Sequence, residues 1–426
     1  MTASVHQAEH LLFSVLLQLI IMIGAARLLN NCFRRLGQPG VIGEIVAGLL
    51  LGPSLFGHFF PGLSVEIFGT TALPPIAVLS QIGLILLMFQ IGTDFEFGHL
   101  KAARNRRATV TVAIASICVP FALGFVIGEA SAPTLAPSID PLTYSLFLGV
   151  ALAITAVPIL GRILREYGLN QTEIGVVAIS AAAINDVVGW ILLAGVSAYA
   201  TARFSTLQMG LQVGGLVVLM IVLWVVLRPL ADLMLRRMPV RDAEVPSNVM
   251  AIVLCLIFAL AIWTFQLGIF AIFGGFAAGL LFHRHLSFVE AWRRQVGQFV
   301  LVFFLPIFFT FTGLRTNILG LTGATDLEWL AAVLAAAILG KIIPVYIGGR
   351  LAGFSHHEST VLGSLMNTRA LMELIVLNIG FDLGFIPQNV FTMMVIMAVV
   401  TTVMTGPLLK VLLPRAGHAI PVGIEA

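Results

Sequence analysis

Long apolar runs follow one another along nearly the whole chain and are separated by short polar segments. A helix that spans a bilayer needs about 20 mostly apolar residues. The pattern predicts thirteen such helices, at 11–30, 40–57, 74–93, 108–128, 142–165, 172–200, 206–228, 247–265, 268–283, 295–315, 327–351, 357–380 and 387–410. Lys and Arg are concentrated in alternate loops, for example at 101–107, 228–241 and 284–294. By the positive-inside rule these loops are cytoplasmic, so the N-terminus is expected outside and the C-terminus inside.

Composition agrees with this pattern and excludes a soluble protein. The chain is 59% hydrophobic and 10% charged, whereas soluble domains have about 25% charged residues. We therefore expect an all-α, multi-pass protein of the cell (inner) membrane, with the lipid bilayer as its surroundings. Residues 1–426 are expected to form a single membrane domain without a soluble regulatory domain, and no cofactor or nucleic-acid partner is expected.

The most informative polar position is Asp186, near the centre of the sixth run and directly after Asn185. A carboxylate at the centre of a membrane helix costs at least about 2.5–3.5 kcal/mol. Such a residue usually marks an ion or proton site, although a purely structural Asp satisfied by neighbouring helices is the alternative. Other polar groups at the same depth favour a site.

The fifth run contains Thr155 and Pro158 near its centre. Proline removes a backbone donor and clashes with the carbonyl four residues earlier, here near Ile154. Freed carbonyls at this depth are tolerated where they line a cavity, and broken helices of this kind coordinate cations in transporters. An ordinary proline kink is the simpler interpretation of this run taken alone.

The twelfth run has a matching anomaly, because Asn367, Thr368, Arg369 and Glu373 lie within one span. Arg369 and Glu373 are four residues apart and therefore share a helix face, where they can pair. Two interrupted helices of opposite direction, seven runs apart, indicate inverted repeats. Runs four to six then mirror runs eleven to thirteen.

Lys341 lies near the middle of the eleventh run. A buried ammonium needs a partner, and Asp186 or the Asn185 carbonyl are the expected candidates. A carboxylate in such a pair holds either a proton or a metal cation, which is the minimum requirement for cation/proton exchange. A structural ion pair is the alternative, and it is compatible with exchange.

At this point the chain resembles the monovalent cation:proton antiporter-2 family, which has a sodium/proton exchanger-type membrane domain. The resemblance extends over nearly the whole chain. The motifs that carry it are 38–53 in the second run, 155–158 in the fifth, Asn185-Asp186 in the sixth, Lys341, and 365–374 in the twelfth.

The resemblance implies two crossed discontinuous helices within a core domain (about 108–200 and 327–410). It also implies a panel domain (about 11–93 and 247–315) that forms a homodimer, with a linker helix at about 206–228. Asp186 is the implied carboxylate that alternately binds a proton and, transiently, Na⁺ or K⁺. Asn185 stands where electrogenic relatives have a second Asp, which favours electroneutral 1:1 exchange; proton release from Lys341 would instead make exchange electrogenic.

The expected function is secondary antiport of a monovalent cation and protons by alternating access, with Na⁺, K⁺ and Li⁺ all candidate substrates. The cation-binding candidates are Asp186, Asn185 and Thr155; the supporting residues of the crossing are Lys341, Arg369, Glu373, Asn367 and Pro158. An organic-anion carrier on the same fold and a gated cation channel are the alternatives. No catalytic residue is expected, because the sequence contains no phosphate loop, HExxH zinc motif or nucleophile elbow.

Overall fold

The structure is a computed structural model that describes residues 2–36, 38–69, 73–93, 103–169, 172–201, 214–215, 217–240, 244–267 and 270–418. All regular secondary structure in these ranges is helical. In chain order the α-helices are α1 (Thr2–Arg35), α2 (Gly40–Leu51), α3 (Phe56–Phe59), α4 (Pro61–Phe68), α5 (Leu73–Thr93), α6 (Ala103–Leu135), α7 (Pro141–Ala153), α8 (Val157–Glu166), α9 (Glu173–Thr201), α10 (Arg228–Arg237), α11 (Ser247–Gln266), α12 (Ala271–Phe282), α13 (Leu286–Trp292), α14 (Leu305–Leu314), α15 (Ala324–Leu351), α16 (His356–Met366), α17 (Leu371–Asp382) and α18 (Gln388–Arg415). Short π-helical segments (Leu223–Leu227, Arg293–Gly297 and Val300–Phe304) and one 3₁₀ turn (Ile318–Gly320) lie between them.

Eleven helical segments of the described residues are long and apolar enough to cross a membrane, so the chain is a multi-pass membrane protein. The fifth and ninth predicted spans contain the shorter apolar helices α7 and α12. Part of the predicted seventh span, 206–213 and 216, lies outside the described residues. The count of thirteen, the outside N-terminus and the homodimer stay predictions.

The chain forms two compact units. The first comprises Met1–Ile23, Val65–Glu96 and Ala194–Phe311. Within it α5 and α12 approach closely through glycine: a Cβ on Gly279 would lie 2.2 Å from the Phe89 carbonyl oxygen. Next to this contact between α5 and α12, the ring of Phe89 packs edge-on against Trp292 and Phe282.

The second unit comprises Gly24–Ser64, Phe97–Leu193 and Thr312–Ala426. It contains two runs of helices with the same order, a long helix, two half-helices and another long helix, except that the last helix of the first run continues past Leu193 to Thr201. The first run is α6, α7, α8 and α9, of 33, 13, 10 and 29 residues. The second is α15, α16, α17 and α18, of 28, 11, 12 and 28 residues. This order agrees with the predicted pair of discontinuous helices, while the core and panel roles stay predictions.

Glycines also bring α6 close to α7 in the second unit. A Cβ on Gly124 would lie 2.6 Å from the Leu148 carbonyl oxygen, and a Cβ on Gly128 would lie 2.4 Å from the Ser145 Cα. Only hydrogen as a side chain permits this backbone approach. The contact holds the second half of α6 against the first half and middle of α7, the helix that ends at the first break.

Candidate functional site

The first break separates α7 from α8. Helix α7 ends at Ala153, Ile154 has an extended backbone (φ −67°, ψ 147°), and α8 begins at Val157. The interruption predicted near Thr155 is therefore present. Pro158 is the second residue of α8 rather than the centre of a kink, and its missing N–H costs nothing there because the first N–H groups of a helix have no intrahelical partner.

The second break separates α16 from α17, between Met366 and Leu371. Its last residue, Ala370, has φ 47° and ψ −102°, a conformation that costs a residue with a side chain about 1–3 kcal/mol. The two breaks touch: the Ala156 N–H donates to the Thr368 carbonyl at 3.2 Å. The Thr155 hydroxyl donates to the Met366 carbonyl at 3.5 Å. The crossing of two discontinuous helices is thus held by direct hydrogen bonds between them.

Arg369 joins the second break to the first. It is fully buried, and its Nη1 donates to the carbonyls of Leu152 at 2.7 Å and Ala151 at 3.4 Å. Its Nη2 donates to the Ala337 carbonyl at 3.1 Å. The predicted pairing with Glu373 is present at 3.8 Å. Two of these three hydrogen bonds therefore go to carbonyls at the end of α7.

Lys341 is the second buried cation at the end of α7. Its Nζ donates to the Ala153 carbonyl and, at 2.7 Å, to the Ser116 carbonyl. The Ser116 carbonyl is available because Pro120, four residues later in α6, has no N–H to donate to it. Both cations lie where the helix dipole of α7 places partial negative charge.

The expected hydrogen-bonded ion pair between Lys341 and Asp186 is not formed. Between these two described residues there is no N···O contact within salt-bridge distance, and they interact through the longer-range field of their charges. The physical reason is that the ammonium satisfies backbone carbonyls that have no other donor.

Asp186 and Asn185 lie in α9 and are 2% and 1% exposed. The Asn185 Nδ2 donates to the hydroxyls of Ser116 at 2.8 Å and Thr155 at 3.2 Å. The Val157 N–H, at the start of α8, interacts with the Asp186 carboxylate. Even so, none of the three acceptor atoms, Asn185 Oδ1 and both Asp186 carboxylate oxygens, has a partner of hydrogen-bonding geometry among the described residues.

Four polar residues of this region do not stand out from sequence reasoning alone. Ser116 contacts both Asn185 and Lys341, and its signal in the sequence is the proline four residues later. The other three are threonines of α18 that receive the second break. Asn367 Nδ2 donates to the Thr401 carbonyl at 3.4 Å, the Arg369 N–H donates to the Thr402 hydroxyl at 3.4 Å, and the Thr368 hydroxyl donates to the Thr405 hydroxyl at 3.3 Å.

The predicted site residues therefore form two connected groups in the second unit. Asp186, Asn185, Thr155 and Lys341 lie around the first break, where Asn185 donates to Ser116 and Thr155 and Lys341 donates to the Ser116 carbonyl. Arg369, Asn367 and Glu373 lie at the second break, and Arg369 reaches across to the first. A buried carboxylate and an amide oxygen that have no partner of hydrogen-bonding geometry among the described residues, beside an interrupted helix, are suited to binding a cation or a proton.

This geometry defines a transporter-type membrane fold with crossed discontinuous helices. The family model "Sodium/hydrogen exchanger, transmembrane" matches residues 19–415, and the chain belongs to this family.

The chain is similar to named members over most of its length. It is 36% identical over 420 residues to the Na(+)/H(+) antiporter NhaS4 of Synechocystis, with 96% of this chain and 99% of that protein covered. It is 37% identical over 403 residues to Cation/H(+) antiporter 17 of Arabidopsis thaliana, covering 94% of this chain and 48% of the relative. The chain thus spans about half the length of that plant relative.

A solved structure shows the same fold. The sodium proton antiporter MjNhaP1 from Methanocaldococcus jannaschii, determined at pH 8, superposes with a TM-score of 0.62. The match covers 98% of this chain and 100% of that one at 16% sequence identity. At this identity the likeness concerns the fold alone.

Replacing Arg369 by glutamine should destabilise the protein. The substitution leaves the Ala151 and Leu152 carbonyls without their donor and leaves Glu373 without its cation, a loss expected to lower the free energy of unfolding by about 3–5 kcal/mol. Thermal unfolding of the purified protein in detergent measures this loss. Arg237→Gln, an exposed change in the last turn of α10, is the matched control. An unfolding midpoint for Arg369→Gln equal to that of the control would contradict the structural role.

Proposed function

We propose that this protein is a secondary antiporter that exchanges a monovalent cation, Na⁺ or K⁺, for protons by alternating access. The observation that carries the proposal is the set of three buried oxygens of Asn185 and Asp186, none of which has a partner of hydrogen-bonding geometry among the described residues. Buried acceptors of this kind are costly unless a ligand supplies the missing positive charge or proton. Relatives that are named as Na⁺/H⁺ and cation/H⁺ antiporters support the same class of substrate.

In this mechanism Asp186 holds either a proton or a cation, and never both. When the carboxylate is deprotonated, its oxygens and the Asn185 Oδ1 are the ligands of the dehydrated cation, with the Thr155 hydroxyl as a further oxygen. When the carboxylate is protonated, it is neutral and no longer attracts the cation. Movement of the loaded site between the two sides of the membrane then couples the two fluxes.

Transport of an organic anion is disfavoured by the same contacts. An anion carrier needs positive groups or N–H donors that face its substrate. Here Lys341 and Arg369 donate to the carbonyls of α6, α7 and α15. Around the first break, the side-chain oxygens of Asn185 and Asp186 have no partner of hydrogen-bonding geometry among the described residues, and these acceptors repel an anion.

Replacing Asp186 by asparagine should abolish cation-driven proton movement. The amide is nearly isosteric but can neither release a proton nor supply negative charge. A pH-sensitive dye in proteoliposomes measures the exchange after Na⁺ or K⁺ is added. Glu328→Gln, an exposed change in α15, should retain wild-type exchange. Normal exchange by Asp186→Asn would refute the assignment.

We further propose that the exchange is electroneutral, with one proton moved per cation. Asp186 is the only carboxylate of the Asn185-Asp186 pair, and in this proposal Lys341 keeps its proton throughout the cycle while its Nζ donates to two backbone carbonyls. The site then has the same net charge with either ligand. An imposed membrane potential should therefore leave the initial rate unchanged in proteoliposomes, whereas a rate that rises or falls steeply with potential would show that a second proton is involved.

A further inference from the structure

The hydroxyl group of Ser116, in α6, is hydrogen-bonded to Asn185 of the candidate site. The Ser116 side chain is fully buried. Its Oγ donates its single proton to the Ala113 carbonyl at 3.0 Å. A serine hydroxyl has one proton and two lone pairs, so toward any further neighbour this oxygen acts as an acceptor.

The Thr155 hydroxyl is in the same condition. It donates its single proton to the Met366 carbonyl across the crossing. Two acceptors therefore face Asn185, one from α6 and one from the first break. Of the two polar atoms of the amide, only Nδ2 can donate to these acceptors. It donates to the Ser116 hydroxyl at 2.8 Å and to the Thr155 hydroxyl at 3.2 Å.

These four bonds determine which way the Asn185 amide points. If the amide were turned by 180°, its oxygen would face two hydroxyl oxygens whose protons are used elsewhere. In the observed orientation both N–H groups are occupied, so neither can donate to Asp186. The amide oxygen is left buried and has no partner of hydrogen-bonding geometry among the described residues, and the same holds for both oxygens of the adjacent carboxylate.

We propose that Ser116 is a positioning residue of the transport site, which together with Thr155 fixes the Asn185 amide so that its oxygen is presented as a cation ligand. This inference rests on the proposed function and adds to it a physical reason why the Asn185 oxygen, rather than its Nδ2, faces the cation. It assigns to Ser116 an effect on cation affinity that acts through Asn185 and needs no contact between Ser116 and the cation.

The test compares three variants of Ser116 in proteoliposomes, with proton movement followed over a range of Na⁺ and K⁺ concentrations. Ser116→Ala removes the acceptor, Ser116→Cys replaces it by a much weaker one of similar size, and Ser116→Thr retains it. We expect the alanine and cysteine variants to raise the KM for the cation about fivefold to tenfold, the scale of one lost neutral hydrogen bond. The maximal rate should stay within about twofold of wild type, and Ser116→Thr should restore the KM.

Ser131→Ala is the matched control. Ser131 is also buried in α6, donates to the carbonyl three residues earlier, and contacts a second side chain, Tyr144. It lies away from both breaks, so its replacement should leave the KM within about twofold of wild type. Replacement of either serine by alanine removes an intrahelical hydrogen bond, but only replacement of Ser116 also removes a hydrogen bond to Asn185.

The outcomes separate this inference from the proposed function. Active wild-type protein with an unchanged KM in Ser116→Ala and Ser116→Cys would overturn the positioning role and leave antiport standing. A KM that rises equally in Ser131→Ala, or is not restored by Ser116→Thr, would also overturn it. Wild-type protein that moves no protons with any monovalent cation would overturn both. If Ser116→Ala does not fold, the cysteine variant decides by the same criteria.

Discussion

The structure depends on one constraint, which is that backbone carbonyls freed at a helix break inside a membrane need donors where there is no water. Helix α7 ends at Ala153, within the predicted fifth membrane span, and the carbonyls of Ala151, Leu152 and Ala153 have no continuing helix to pair with. Arg369 and Lys341 supply the donors. Their positive charges also lie at the negative end of the α7 dipole, which stabilises ions that would otherwise be costly at this depth.

The same constraint determines which oxygens of the candidate site remain available to a ligand. The Lys341 Nζ and both terminal nitrogens of Arg369 donate to backbone carbonyls, and the Asn185 amide protons are used on two hydroxyls. The acceptors of Asn185 and Asp186 are left over. The same shortage of donors that fixes the cations in place thus leaves a group of oxygens ready for a ligand that carries positive charge. The hydrogen bonds that hold the broken helices in place therefore also leave the oxygens of Asn185 and Asp186 available to a ligand.

Much of this could be predicted from sequence because apolar length and intramembrane charge are local signals. Asp186 within an apolar run, the polar residues around Arg369, and the interruption near Thr155 all follow from one chain segment at a time. The partners of Lys341 cannot be predicted from one chain segment, because the expected pairing with Asp186 rests only on opposite side-chain charges. Its actual partners are carbonyls whose availability depends on where α7 ends and on Pro120 in another helix. Ser116 was missed for the same reason, although a serine four residues before an intramembrane proline is a readable signal.

The central claim is that one carboxylate exchanges a proton for a cation. The most direct test is the apparent KM for the transported cation in wild-type proteoliposomes, measured at several pH values with the membrane potential held at zero. Competition for Asp186 predicts that the KM rises as the pH falls, approaching proportionality to the proton concentration, while the maximal rate stays nearly constant. A KM that is independent of pH over the whole active range would contradict the account, because protons and cations would then occupy separate sites.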